Sequence, residues 1–263
     1  MIETISRLAL YPGLLHGFST RLGGVSEPPH ASLNLAFSRP DDPAAVAENR
    51  RRFAAALGFD LDSVVIAGQI HGTAVRRVAA ADRGRGAYGA NTVLPPADAL
   101  ITDVAGVVLW AGFADCTPLL FYDPARQAVG VAHAGWQGTV GNIAGATVSA
   151  MIQEFGSDPS DLVAAIGPAI GPCCYEVGEP VVSAVSTAFG TAVAADLLPR
   201  PPGNERPHFD LWSANEHWLK SAGVQACNVV RMDCCTACNV ERFFSHRRER
   251  GATGRFAAVI GIR

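Results

Sequence analysis

Charge is scarce in this chain. Asp, Glu, Lys and Arg make up 17% of 263 residues, while hydrophobic residues make up 49%. That balance excludes a disordered chain, which combines high charge with few apolar residues. There is no basic excess either, since the net charge is -3. Nucleic acid and anionic membrane surfaces are therefore not expected partners. No run approaches the ~20 apolar residues that a membrane span needs. Residues 1–15 carry one arginine and an apolar stretch broken by Pro12, without the basic and long apolar regions of a secretory signal. The expectation is a cytoplasmic protein whose seven cysteines, an odd number, are reduced. Internal repeats are also missing, as is any linker long enough to separate domains, so residues 1–263 read as a single domain. No Gly-x-Gly-x-x-Gly turn joins a strand to a helix, which argues against a Rossmann fold.

What the chain does offer is apolar runs that end in chemistry. The Val- and Ala-rich run from Ala128 reads as a buried strand. It ends in His133, followed by a glycine-spaced turn and an expected helix over Thr139–Phe155. The run Val107–Phe113 leads to Asp115 and Cys116, and the run Val64–Ala67 leads to Gln69, Ile70 and His71. Three strand ends thus deliver His71, Cys116 and His133. Imidazole nitrogen and thiolate sulfur are ligands that zinc prefers, and three of them leave an open fourth position, the catalytic pattern. The same residues also fit two satisfied core histidines and a small buried cysteine. With no compact ligand motif, spacing does not choose between the two.

Helices are expected at Pro43–Leu57, Thr139–Phe155, Glu179–Phe189 and Leu211–Ala222. Asp41-Asp42-Pro43 is a good start signal for the first and Gly58 a stop. Strands are expected at 64–67, 107–113, 118–122, 128–133, 162–166 and 256–262, several buried on both faces. A tight turn at Asp123–Gln127 joins two of them as a hairpin. Segments 82–92 and 198–207 read as surface loops. The fold class is α/β, a layered sandwich of mixed β-sheets and helices. Cys235 and Cys238 have Cys-x-x-Cys spacing, but no second such pair completes a four-cysteine site. Cys173 and Cys174 are adjacent, which reads as poor geometry for two ligands of one ion. A structural or pocket-lining role is expected for these cysteines.

Several segments in order carry a family resemblance. They are His16–Ser26, Gln69–Gly72, Ala114–Leu120, His133–Trp136, Ile166–Pro172, Cys235-Thr236 and Phe243–Arg248. Together they resemble the YfiH-like, laccase-domain family of purine nucleoside phosphorylases, also called the polyphenol oxidase or peptidoglycan editing factor family. The likeness runs from about His16 to the C-terminus, and its Ala-Asp-Cys and His-Ala-Gly-Trp pieces are highly specific. It implies the YfiH-like sandwich and one zinc per chain on His71, Cys116 and His133. It supports a non-ligand role for Cys235, since Cys235-Thr236 matches the family pattern and Cys238 is not a fixed part of it. One departure is Gln137, where relatives commonly carry Arg or Lys.

The activity so implied is phosphorolysis of adenosine, inosine or methylthioadenosine to free base and ribose 1-phosphate, with adenosine deamination beside it. Cys116, His133 and Asp115 are the candidate catalytic residues. Asp115 also fits a structural turn or support of a ligand. Arg21, Gln69, Arg247 and Arg255 are the expected substrate- or phosphate-binding residues, because a guanidinium grips phosphate through paired donors. Arg50 and Arg248 are further candidates, and Arg126 reads as hairpin surface. A cysteine hydrolase or amidase acting on a peptidoglycan precursor is the alternative, with Cys116 as nucleophile and His133 as base. Copper oxidase chemistry reads poorly: seven histidines form no His-x-His pair. A non-enzymatic binding protein is the remaining class. A monomer is compatible with the sequence, which sets no assembly state.

Overall fold

A computed structural model describes residues 1–203 and 205–263. In chain order the elements are β1 (Ile2–Glu3), β2 (Leu14–Ser19), α1 (Pro43–Leu57), β3 (Val64–Ile66), β4 (Val75–Arg77), β5 (Ala99–Thr102), β6 (Val108–Phe113), β7 (Thr117–Asp123), β8 (Ala128–Ala134), α2 (Trp136–Val140), α3 (Ile143–Phe155), β9 (Val163–Ile166), α4 (Glu179–Leu197), α5 (Leu211–Ser221), β10 (Val229–Arg231) and β11 (Phe256–Ile262). Two mixed sheets form. The first has the order β1-β2-β11-β6-β3 and the second β10-β9-β7-β8-β5-β4.

Period-two alternation explains the layering. In β6, Leu109, Ala111 and Phe113 face the space between the sheets, and Val108 and Trp110 face the other way. In β7, Leu120 and Tyr122 join that same central layer, while Leu119 and Phe121 turn to the opposite side. Phe18, Val65, Ala258 and Ile260 fill the central layer from the first sheet, and Leu100, Val129, Val131 and Ala165 from the second. α1 covers the outer face of the first sheet through Phe53, against Trp110 and Val259. α3, α4 and α5 cover the outer face of the second through Val148, Val185 and Leu219. Both faces of both sheets are thus apolar, so strands read as continuous apolar runs. Each fully buried side chain of this kind contributes roughly 1.5–3 kcal/mol.

α1 has the expected bounds. Asp42 caps it by accepting the Ala44 N–H, and Gly58 ends it at φ 74°. Asp123 closes the β7–β8 hairpin, its carboxylate accepting the Ala125 and Arg126 N–H groups at 2.9 Å.

Three expectations need correction. The helix expected over Thr139–Phe155 is two helices, because Asn142 takes a left-handed conformation at φ 62° and restarts the helix as its N-cap. The helix expected to end at Phe189 resumes beyond Gly190 and runs to Leu197. By length and composition α4 meets the measure for crossing a membrane, contrary to the sequence expectation. Gly190, at φ 74° and ψ 158°, breaks it, and Val185, Phe189, Ala194 and Leu197 lie in the core. Neither straight piece reaches the ~20 residues of a span.

Gly84, Gly86 and Gly89 have dinucleotide-loop spacing, but they sit between short 3-10 turns at Ala80–Asp82 and Ala90–Thr92. No α-helix follows to offer its N-terminus. The loop expected over 198–207 includes residue 204, which lies outside the described residues.

Candidate active site

The chain crosses from the first sheet to the second between β6 and β7, and Cys116 sits in that crossing. His133 lies one residue from the end of β8, and His71 in the segment between β3 and β4. The ligand atoms of His71, Cys116 and His133 lie within 4.8 Å of one another. The two imidazole rings meet edge to face with centroids 4.8 Å apart. Gly135 lets the backbone pass close by. A Cβ there would stand 3.0 Å from both Cys116 Sγ and His71 Cδ2.

Asp98, at the start of β5, holds this group together. Its carboxylate accepts the backbone N–H groups of Ile70 (3.2 Å), His71 (3.0 Å) and Gly72 (2.7 Å). His71 is thereby fixed in a left-handed conformation, φ 61°. The same carboxylate accepts His133 Nδ1–H at 2.9 Å, which leaves His133 Nε2 free to act as a ligand. Asp98 is 2% exposed. Burial works against its charge, yet His133 and the Gly72 amide hold its carboxyl below the usual range. Sequence reasoning missed this residue. Its one signal was an acidic side chain immediately ahead of an apolar run.

Electrostatics couple the three ligands. Burial works against a charge on Cys116, but His133 and His71 bring its thiol down to about 6. Burial likewise works against a charge on His133, and Cys116 with Asp98 raises its imidazole to about 9. A thiolate beside two imidazole nitrogens is a donor set that a dication takes up, with loss of any protons they carry. Donor types, proximity and the carboxylate behind His133 all fit zinc with an open position.

A cavity of about 600 Å³ opens over these residues, within the usual ~300–1,000 Å³ of small-molecule sites. Trp136, Ile170, Tyr175 and Leu211 supply apolar lining; His246, Arg247, Arg255 and Gln137 supply polar lining. Arg247 lies over the Tyr175 ring at 4.9 Å and donates to Glu176 O at 2.8 Å. Arg255 is held by the Thr253 and Gly254 carbonyls. Its pKa is lowered by burial and then by Arg39. Burial and Arg255 also lower that of His246. Arg39 Nε is buried with no hydrogen-bond partner among the described residues. His246, Tyr175 and Arg39 are further residues that sequence reasoning did not single out.

The remaining expected site residues are placed as follows. Gln69 lines the cavity with both ends of its amide bonded to the Gly112 backbone at 3.0 Å. Asp115 lines it at φ 82°, accepting Thr236 Oγ1–H and the Arg247 N–H, each at 2.6 Å. Arg21 is not in the lining. Its guanidinium bonds Ala31 O, Val240 O and Glu249 Oε1 and stacks on Phe244. Arg50 is buried against the Leu35, Gly86 and Ala87 carbonyls. Arg126 is exposed and bonds Gly156 O.

The cysteine expectation needs a geometric correction. Cys173 and Cys174 lie in a tight turn closed by Cys174 and Tyr175 N–H donors to Gly171 O. Adjacent side chains diverge in a strand, but a turn lets them converge. Both sulfurs reach Cys238 Sγ, at 3.5 and 3.4 Å.

Known proteins share this architecture. The family described as "Multi-copper polyphenol oxidoreductase laccase" matches residues 15–263. "Purine nucleoside phosphorylase YlmD" of Geobacillus stearothermophilus is 43% identical over 253 residues, 96% of this chain and 92% of that protein. "Adenosine deaminase RL5", from an unknown prokaryotic organism, is 36% identical over 235 residues, covering 89% and 88%. The crystal structure of the Bacillus licheniformis hypothetical protein YfiH aligns with a TM-score of 0.91 at 38% identity, covering 95% of this chain and 93% of that one. With sequence match and fold in agreement over nearly its whole length, the chain belongs to the multi-copper polyphenol oxidoreductase laccase family, in its YfiH-like form.

Proposed function

We propose that this protein is a zinc-dependent purine nucleoside phosphorylase with a companion adenosine deaminase activity. The observation that carries this reading is a three-ligand His-Cys-His cluster opening into a cavity lined by Arg247 and Arg255. Relatives named for both activities support it. In phosphorolysis a phosphate oxygen bonds to ribose C1′ while the bond from C1′ to the purine nitrogen breaks. The electron pair leaves with the base, which takes up a proton. Arg247 and Arg255 orient phosphate and balance its charge. Trp136, Ile170, Tyr175 and Leu211 exclude water around the nucleoside.

His71, Cys116 and His133 are the residues that would hold zinc, which supplies a Lewis acid able to polarise an oxygen or lower the pKa of water to near ~7. Asp98 keeps the proton of His133 on Nδ1. Asp115 has both carboxylate oxygens engaged, so we assign it to holding Arg247 and the β6–β7 crossing. Substrates are small molecules, the proposed compartment is the cytoplasm, and residues 1–263 act as one domain. The histidines do not form the clusters a multicopper site requires: among the described residues, only His71 and His133 join a metal-binding group.

One observation favours a second reading. Cys116, His133 and Asp98 follow one another as nucleophile, base and orienting carboxylate do in a cysteine hydrolase. Zinc on Cys116 removes it as a free nucleophile. The test combines metal analysis with a phosphate-dependent assay for free base and ribose 1-phosphate. Expected are a stoichiometric zinc at this site and product only when phosphate is present. Metal-free protein that gives no phosphate-dependent product, with Cys116 alkylated rapidly and stoichiometrically, would select the hydrolase.

A further inference from the structure

We propose that Cys173, Cys174, Cys235 and Cys238 form a second metal site, a closed four-thiolate zinc centre that staples two loops behind the cavity. The four sulfurs come from two segments over sixty residues apart in sequence, and all lie within 4.8 Å of one another. A tetrahedral ion with Zn–S near 2.3 Å places its sulfurs about 3.8 Å apart. Two of the contacts, Cys174–Cys238 at 3.4 Å and Cys173–Cys238 at 3.5 Å, stand near that spacing. They are far from the ~2.05 Å of a disulfide.

Backbone donors reach the buried sulfur. Cys235 Sγ accepts the Gly171 N–H at 3.3 Å and the backbone N–H of Cys238. Such donors offset sulfur charge and orient the ligands. Cys235 is buried and Cys174 half-buried, while Cys173 and Cys238 are exposed. One side is therefore anchored in the protein, and the other lets an ion enter without unfolding. Four protein sulfurs leave no coordination position for substrate, so the centre is structural. Binding releases the thiol protons and closes the long loop between the two segments, which stabilises the fold.

The stapled segments carry cavity residues. Ala169 bridges to Cys235, and Thr236 N–H donates to Ala169 O. Thr236 Oγ1 then bonds Asp115, and Tyr175 follows Cys174 directly into the cavity lining. The proposal concerns a different ligand set from the His-Cys-His cluster and does not rest on the phosphorylase reading.

The test counts ions by native mass spectrometry on reduced full-length protein, zinc-loaded and desalted. Two zinc ions per chain are expected. Cys238→Ser and Cys173→Ser should each retain one, and so should His71→Ala, whose remaining ion belongs to the cysteines. Cobalt loaded into His71→Ala should give the intense sulfur-to-metal absorption of several thiolates. In the wild-type protein, zinc should slow N-ethylmaleimide labelling of Cys173, Cys174 and Cys238 by about tenfold or more, reversed by a chelator. That measurement stands even if the cysteine variants fail to fold. Labelling rates indifferent to zinc, a Cys238→Ser count equal to wild type, or a disulfide within the four in freshly purified protein would each overturn the proposal.

Discussion

Asp98 decides the local geometry more than any ligand does. One carboxylate fixes the backbone of His71 and the ring of His133, so both imidazoles depend on it. Asp98→Asn keeps the shape but puts an N–H donor where an acceptor is needed. Zinc affinity should fall about 10–100-fold, read by competition with a chromophoric chelator, while the far-ultraviolet circular dichroism stays unchanged. Unchanged affinity would leave Asp98 with only a packing role. Cys116 offers a pH test. Its thiol is lowered to about 6 against burial by His133 and His71, so the thiolate is present above that pH and lost below it. In zinc-stripped protein, alkylation of Cys116 should rise through pH 6, well below the ordinary ~8.5 of a free thiol. His133→Ala should move the midpoint upward. A midpoint above 8 in the wild-type protein would show that the two groups do not interact.

At the scale of elements, the break between α2 and α3 is the informative detail. Asn142 holds φ 62° while its side chain accepts the Gly145 N–H at 2.8 Å. Asn142→Ala loses the cap and places a Cβ in a left-handed conformation. We expect a loss of about 1–3 kcal/mol in denaturant unfolding, with the zinc count unaltered. The same break shows what a sequence hides. Gly141 and Asn142 lie inside an apolar-periodic stretch, and nothing local says that the helix restarts there. Strands buried on both faces, such as β7 and β11, announced themselves as apolar runs. The short strands β1, β4 and β10 did not, because neighbouring strands, not their own side chains, determine them, while β2 and β5 are buried strands that the sequence expectation passed over. The three expected zinc ligands were legible because each follows or ends an apolar run. Asp98 was not, since its partners lie 26 to 35 positions away. Arg21 shows the converse. Its glycine-rich setting invites a phosphate reading, while its donors are engaged by Ala31, Val240 and Glu249.

Across the whole molecule, the two sheets bring the metal ligands from the middle of the chain to cationic side chains from its end. Arg247 and Arg255 belong to the segment leading into β11, the strand that pairs with both β2 and β6. Closing the first sheet therefore also completes the cavity. If phosphate binds there, removing one true ligand forfeits a charge-assisted bond of roughly 1.5–3 kcal/mol. Arg255→Ala and Arg247→Ala should each raise the KM for phosphate by about tenfold or more. Arg126→Ala should leave it unchanged, because that side chain is exposed and caps a carbonyl at Gly156. Deamination consumes water and no phosphate, so it should survive both arginine changes better than phosphorolysis. Removing zinc should impair both. An equal loss of the two activities in Arg247→Ala or Arg255→Ala would mean that these residues hold the nucleoside or the fold. The phosphate site would then lie elsewhere, and Arg39, whose buried Nε lacks a partner among the described residues, is the next position to test, by the same KM measurement on Arg39→Ala.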